Sequence, residues 1–297
     1  MRMPAPVPEI RVGASSRQRC YPAKEKDMVK IDLPTERVGD WKEVMLKKMA
    51  EVLDKYRSVR LFMDICVKCG ACADKCQFFL GTGDPKNMPV ARADLLRKVY
   101  KRYFTLGGKI WGRANEAEEL NERVLEEWIT YFYQCSECRR CSVFCPCGID
   151  TAEITMAARE IMAAAGVATK YVTEVVAKVY DTGNNLGIGP AAWKDMSAFL
   201  EEDQKDLSGI DIKFPVDAVG AEALLIPPSA DIFANTNTMV GYARMFHAAG
   251  ISWTTSTYCN EGGNFGLFLN YANLKKINNR IMEAVRQLKV KKVYWGE

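Results

Sequence analysis

The sequence predicts an α plus α/β protein, with an all-helical part followed by a part that alternates strand and helix. Three observations carry this. Two Cys-x2-Cys-x2-Cys-x3-Cys runs occur, CVKCGACADKC at 66–76 and CSECRRCSVFC at 135–145, with helix-period segments before, between and after them. From residue 222 the rhythm changes to short apolar runs separated by longer helical ones, the pattern of βαβ units and a parallel sheet. KDLSGIDIKFP, at 205–215, marks the change between the two.

The runs bear the chemistry. Three thiolates two residues apart fit on one tight loop and reach three corners of a 4Fe–4S cube. The fourth, three residues on, leaves the loop and points elsewhere; in two-cluster ferredoxins it serves the other cluster. The expected ligand sets are therefore Cys66, Cys69, Cys72 and Cys145 for one 4Fe–4S cluster, and Cys135, Cys138, Cys141 and Cys76 for the other. Zinc sites use separated Cys or Cys/His pairs, not a triple run occurring twice. Eight of the 11 cysteines fall in the runs, and ligating thiolates must stay reduced, which predicts a reducing compartment.

Composition narrows the class. A charge of +4 (41 Lys and Arg against 37 Asp and Glu) is offset by about −2 per oxidised four-thiolate cubane, so nothing favours nucleic acid. No stretch reaches the 18 uncharged apolar residues of a transmembrane helix, and no apolar segment follows Arg2 as a signal peptide requires.

In chain order, residues 1–40 hold scattered prolines and charges with no period and are expected to form an extended arm; Cys20 sits there as a thiol without an assigned role. Residues 41–166 form the helical two-cluster domain. Trp41, Val44, Met45, Met49, Val52, Leu53 and Tyr56 share one helical face behind an Asp40 cap, a stripe that reads as core. Two helices are expected between the runs. One opens at Pro89 with Leu95, Leu96, Val99, Tyr100 and Tyr103 inward; the other runs from about Glu116 with Leu120, Val124, Trp128, Tyr131 and Phe132 inward. Pro146 turns the chain away after Cys145, Asp150 with Glu153 caps the next helix, and Gly166 stops it. Cys147 has no assigned role. Lys68, Arg139 and Arg140 lie beside the thiolates as solvated charge, as partner contacts or as groups that raise potentials; Phe78, Phe79, Phe132 and Phe144 are expected to pack there and exclude water.

Residues 167–210 read as a helical connector interrupted by TGNNLGIGP at 182–190. That stretch lacks the preceding strand and the Lys of a phosphate loop and reads as a plain turn. Residues 211–297 form a partial βαβαβ parallel-sheet domain with strands ALLIP, ISWTTSTY and KKVYWG and helices TMVGYARMFHAAG and FGLFLNYANLKKINNRIMEAVRQL. His247, the single histidine, reads as a packed or half-exposed residue rather than a ligand. Cys259 falls at the carboxyl end of the second strand, where open α/β sheets bind ligands, and the Gly-rich NEGGNFG follows it. On its surroundings alone it is equally a ligand or a buried inert thiol.

The long helical insert between the runs resembles the α-helical ferredoxin fold of succinate dehydrogenase and heterodisulfide reductase subunits. Joined to an α/β Cys domain, it resembles the heterodisulfide reductase superfamily and, through ADIFANTNTMVGYARMFHAAGISWTTSTYCNEGGNFG at 230–266, its DsrK-like iron–sulfur subunits. The resemblance implies electron transfer with a membrane cytochrome b subunit (DsrM-like). It also implies reduction or oxidation of a disulfide or trisulfide on a small sulfur carrier (DsrC-like), at the cytoplasmic face of a membrane. It further implies a noncubane iron–sulfur centre with Cys259 as the first Cys of a Cys-Cys-Gly-type (CCG) element and as the catalytic ligand. Two departures are visible: Pro227-Pro228-Ser229 stands where many relatives have Gly-Cys, and the second half of the CCG-type domain is absent, so a longer protein is expected. The alternative within the same cofactor class is an electron-transfer subunit of a glycolate or glycerol-3-phosphate dehydrogenase.

Overall fold

The computed structural model describes residues 23–263 and 265–296, which leaves Cys20 outside the described residues. The chain divides into two compact units, one comprising residues 23–25 and 33–170 among those described and the other 26–32 with 171–296.

Helix α1 (Glu25–Lys30) falls where an extended arm was expected. Its own sequence explains little; burial does. Met28 and Ile31 are about fully buried, Asn273 Nδ2 donates to Ile31 O (3.3 Å), and Lys30 pairs with Asp181 within the second unit.

The first unit is all helix. It comprises α2 (Trp41–Lys55), α3 (Arg57–Ile65), α4 (Gln77–Thr82), α5 (Pro89–Phe104), α6 (Leu106–Trp111), α7 (Glu122–Tyr133), α8 (Arg140–Val143) and α9 (Thr151–Ala164). Helix α9 is its axis and packs on α2, α3, α5 and α7. Ala157, Ala158 and Ala163 keep it slim, so neighbours approach closely, and Ile154 and Ile161 enter a core with Met45, Met49, Leu96, Val99, Trp128 and Phe132. The Asp150 cap forms as expected, its carboxylate accepting from the amides of Ala152 and Glu153. The helix expected from Glu116 begins instead at Glu122, because the Asn121 side chain accepts from Val124 N (3.1 Å) and ends the preceding extended segment. Helix α6 is an addition to the expected pair. It folds back on the end of α5 because Gly108 has no Cβ, which would lie 1.9 Å from Lys101 O.

The second unit holds α10 (Lys170–Thr182), α11 (Pro190–Ser208), β1 (Ala223–Ile226), α12 (Ser229–Phe233), α13 (Thr236–Ala249), β2 (Trp253–Thr254), α14 (Tyr271–Leu288) and β3 (Lys292–Trp295). The strands are parallel in the order β2-β1-β3, with Ala223 opposite Trp253 and Ile226 opposite Trp295. The central strand is buried at all four residues, as a strand covered on both faces must be. Strand β2 is shorter than the expected ISWTTSTY. After the Thr255–Val216 bridge, the Asp217 carboxylate takes Thr257 N (2.9 Å) and Oγ1 (2.7 Å), and Tyr258 N turns onto Ser256 Oγ. The last expected helix is likewise split at Asn270, which caps α14 through Asn273 N (2.8 Å), while Phe265–Phe268 form a separate 3-10 turn.

Candidate metal centre

Both cysteine runs begin with the same backbone pattern. Each follows a helix: α3 ends at Ile65 before Cys66, and α7 ends at Tyr133 before Cys135. In each, the second and fourth residues after the first Cys take positive φ: Lys68 (55°) and Gly70 (78°), then Glu137 (56°) and Arg139 (57°). Two left-handed residues so close together wind the chain tightly enough to put three cysteines on one loop. Three of the four are not glycine and adopt a conformation of order 1–3 kcal/mol above their preferred ones, the type of strain that collects at functional sites.

The fourth cysteines leave the loops. Cys76 is the N-cap residue of α4, and the next residue, Gln77, donates from Nε2 to Ser136 Oγ (3.0 Å) in the other run. Cys145 returns to the first run: it lines a small cavity with Cys66, Cys69 and Cys72, closed by Val90, Pro146, Cys147 and Ile149. Burial raises the thiol of Cys72, and the neighbouring Cys145 and Cys66 raise it further. Burial pushes Cys141 up to about 11, with Cys135 and Cys72 adding to the shift. Cys72 thus stands between the two groups of thiols. An all-sulfur donor set with apolar closure fits an iron–sulfur cluster, whose iron supplies the charge that keeps such buried thiols ionised. Among the described residues, no three Cys, His, Asp or Glu side chains converge on a single ion.

Three buried arginines hold the loops. The carbonyls of a helix's last turn lack intrahelical donors, and here guanidinium groups supply them. Arg97 on α5 donates from Nε to Met63 O (2.9 Å) at the end of α3. Arg92 donates from Nε to Tyr131 O (2.8 Å) at the end of α7. Arg159 on α9 donates from Nη2 to Phe132 O (2.7 Å) and Cys135 O (2.5 Å), and its Nη1 lies 2.7 Å from the buried Glu137 carboxylate. Burial pushes that carboxyl up to about 7 against the pull of Arg159. Sequence reading missed all three arginines. The one signal is their setting, a charge within an apolar helical face, as in ITMAAREIMAA.

The other expected residues divide. Lys68 is ion-paired to Glu116 (2.8 Å) and Asp94 (3.1 Å), and Arg139 to Asp150 (3.3 Å). Arg140 is exposed. Phe132 is fully buried, but Phe144, expected to exclude water, is half exposed with Lys75 Nζ 4.9 Å above its ring. Cys69, Cys138 and Cys147 are exposed. His247 is exposed on α13.

Cys259 lies past β2 at the carboxyl edge of the sheet and is 4% exposed; burial pushes its thiol up to about 12. Its loop is held from several sides. Arg280 on α14 donates from Nε to Tyr258 O (2.7 Å) and from Nη1 to Tyr180 O (2.6 Å). Gly262 N donates to Pro227 O (3.0 Å). The buried Glu261 carboxylate accepts from Ser229 Oγ (2.7 Å), Asn185 N (3.1 Å) and Gly263 N (3.1 Å). The TGNNLGIGP stretch is thus more than a plain turn: Asn184 Nδ2 reaches Asn260 Oδ1 (3.2 Å), and Asn260 N donates to Gly183 O (3.1 Å). Gly183 has φ 80°, and a Cβ there would lie 2.5 Å from Tyr258 O. Gly183→Ala therefore costs about 2 kcal/mol or more. A lowered urea midpoint and faster reaction of Cys259 with a thiol reagent are the expected readouts.

Comparison with known proteins agrees with this geometry. Residues 62–149 match the family described as 4Fe-4S dicluster domain. The chain is 45% identical, over 92% of its length, to Hdr-like menaquinol oxidoreductase iron-sulfur subunit 2 of Archaeoglobus fulgidus, covering 50% of that protein. It is 43% identical, over 87% of its length, to Hdr-like menaquinol oxidoreductase iron-sulfur subunit of Archaeoglobus profundus, covering 47% of it. Over 35% of its length it is 28% identical to a chain of the dihydromethanophenazine:CoB--CoM heterodisulfide reductase of Methanosarcina barkeri, covering 25% of that protein. The chain thus spans about half the length of the first two relatives. No solved structure matches. No helix among the described residues is long and apolar enough to cross a membrane.

Proposed function

We propose that this chain is the electron-transfer part of an Hdr-like menaquinol oxidoreductase iron–sulfur subunit. The observation that carries the reading is the cavity on which Cys145 of the second run meets Cys66, Cys69 and Cys72 of the first. The similarity over most of the chain to menaquinol oxidoreductase subunits supports it. Cys66, Cys69, Cys72 and Cys145 hold one 4Fe–4S cluster, and Cys135, Cys138, Cys141 and Cys76 hold a second. When bound, the clusters accept and release one electron at a time. The chain's own residues set their surroundings: the loop amides, such as Glu137 N at 3.4 Å from Cys135 Sγ, donate toward sulfur, and Arg97, Arg92 and Arg159 fix the loops that carry the thiolates.

In the longer protein, the finer reading is disulfide or trisulfide reduction. Oxidation of a quinol yields a quinone, two electrons and two protons; a disulfide takes up two electrons and two protons to give two thiols. The acceptor is a sulfur-carrier protein of the DsrC kind, the membrane partner a cytochrome b subunit of the DsrM kind, and the place of assembly the cytoplasmic face of the membrane. Cys259 is a ligand of a further noncubane centre. Its position at the carboxyl edge of a parallel sheet supports that role, as does the network that fixes its loop.

The experiment is iron and zinc analysis of anaerobically purified protein, with electron paramagnetic resonance before and after dithionite. About eight irons per chain and two interacting reduced cubane signals are expected; zinc, or only about four irons, overturns the reading. In the full-length protein, Cys259→Ala leaves both cubane signals and abolishes disulfide reduction. Retained reduction removes Cys259 from the chemistry.

A further inference from the structure

We infer that the α6 knob is a docking surface for an anionic lipid membrane, beside the cluster loop that carries Cys69. The inference rests on the electron-transfer reading above for its purpose, but not for its geometry.

Helix α6 packs on the end of α5 through its glycine side and leaves its large apolar side chains uncovered. Leu106, Ile110 and Trp111 are 78%, 72% and 67% exposed. Three large apolar side chains in one six-residue helix are not scattered surface residues of the kind every protein carries. Gly107 and Gly108 explain how the chain tolerates them. Gly108 lets α6 sit directly on Lys101 O, and the Trp111 ring lies 3.5 Å from where a Gly107 Cβ would be, so the ring is propped over bare backbone. The knob borders a broad cleft of about 740 Å³ lined by Lys98, Arg102, Lys109, Arg113 and Arg123 together with Glu116, Glu118 and Glu119.

The charges decide what covers the knob. Every acid on the cleft is neutralised internally. Glu116 is paired with Lys68 (2.8 Å) and Lys101 (3.0 Å), which hold its carboxyl down at about 2. Glu118 is paired with Lys98 and Arg123, and Glu119 with Arg102 (2.9 Å). Lys109 and Arg113, the cations on either side of Trp111, have no ion-pair partner among the described residues. The face therefore shows apolar side chains and free positive charge, with no carboxylate left to repel an anion. A Trp with aliphatic neighbours enters the headgroup boundary, while flanking Lys and Arg meet anionic headgroups. A protein partner would need carboxylates placed opposite two flexible cations; a membrane surface supplies anionic groups at any position.

Docking this face has a consequence for electron flow. Glu116 ties the base of the knob to Lys68, which lies between Val67 and the exposed Cys69. A chain seated by α6 keeps the Cys66–Cys72 loop, tied to the knob through Glu116 and Lys68, close to the membrane that holds its proposed cytochrome b partner.

The test is co-sedimentation of cluster-loaded protein with two vesicle preparations, phosphatidylcholine alone and phosphatidylcholine with about one-third phosphatidylglycerol. Wild-type protein is expected to bind the anionic vesicles at least tenfold more tightly, with the preference lost in high salt. Ile110→Ser with Trp111→Ser lowers binding at least tenfold. Lys109→Glu with Arg113→Glu removes the preference for anionic lipid. Iron content and reduced spectra stay at wild-type values in both, since these side chains lie on the surface. If the apolar pair disturbs iron content, the charge-reversal pair alone decides. Wild-type protein that ignores anionic vesicles, or charge-reversed protein that binds them as wild type does, overturns the inference and assigns the knob to a protein partner. Because iron and spectra are read in the same samples, failure to bind with intact cubane signals overturns the docking surface alone; missing cubanes overturn the reading beneath it.

Discussion

Cys69→Ser combined with Cys145→Ser is expected to leave about four irons per chain, whereas Cys69→Ser combined with Cys76→Ser leaves close to none. The two double variants each lose one loop thiol and one trailing thiol, so they differ only in which trailing cysteine is removed. If each trailing cysteine belongs to the opposite loop's cluster, the first pair damages one site twice and spares the other. The second pair damages both. Cys145 is placed for this result by the cavity it shares with Cys66, Cys69 and Cys72. Cys76 is placed for it by the helix it begins, whose first residue bonds to Ser136 of the second run. Ligation within each run predicts the reverse: Cys69→Ser with Cys76→Ser would then retain about four irons and Cys69→Ser with Cys145→Ser almost none. Iron analysis with dithionite-reduced spectra separates the two, and the reversed result sinks the crossed assignment.

Arg159→Leu is expected to lower unfolding stability by about 3–5 kcal/mol and to cost about four irons, those the proposal assigns to the cluster of Cys135, Cys138 and Cys141. The side chain is 2% exposed and serves three groups at once: the Phe132 carbonyl at the end of α7, the Cys135 carbonyl within the loop, and the Glu137 carboxylate. Removing one member of a buried ion pair strands the other, and that is the larger part of the loss. Arg159→Leu with Glu137→Leu therefore recovers part of the stability, since two apolar residues replace two buried charges. It does not recover all of it, because the two carbonyls still lack donors, at roughly 1–3 kcal/mol each. Denaturant midpoints of the two variants, beside iron content, check both statements. A double variant no more stable than the single one would mean that the carbonyls, not the ion pair, are the main business of Arg159.

Much of the site was legible in the sequence because thiolate chemistry leaves few alternatives. Cys-x2-Cys-x2-Cys-x3-Cys occurring twice with helices between points to a 4Fe–4S dicluster family, which residues 62–149 match, and to the helical setting that is present. The α/β rhythm after residue 222 likewise predicted a parallel sheet, and three parallel strands are present. These are local signals: spacing along the chain is their whole content.

Other features depended on partners far away in sequence. Helix α1 forms in a segment without helical period because Met28 and Ile31 find burial in the second unit. Strand β2 stops early because Asp217, distant in sequence, takes the donors of Thr257. TGNNLGIGP reads as a turn from its residues, yet Asn184 and Asn185 bond to the loop after Cys259. The arginines are the clearest case. The one local sign that sets Arg92, Arg97 and Arg159 apart from solvated charge, a position within an apolar helical face, does not name their partners. Only the packing of α5 and α9 against the ends of α3 and α7 makes them donors to the loops.

By itself, then, the sequence determined which cysteines are the candidate donors, the helical frame between them and the parallel α/β part, because spacing and period are properties of neighbouring residues. Tertiary structure alone decided that buried guanidinium groups hold both loops, and that Leu106, Ile110 and Trp111 are left without cover. Each of those depends on which surfaces meet once the helices pack, and a side chain's donors, neighbours and exposure are set by that meeting.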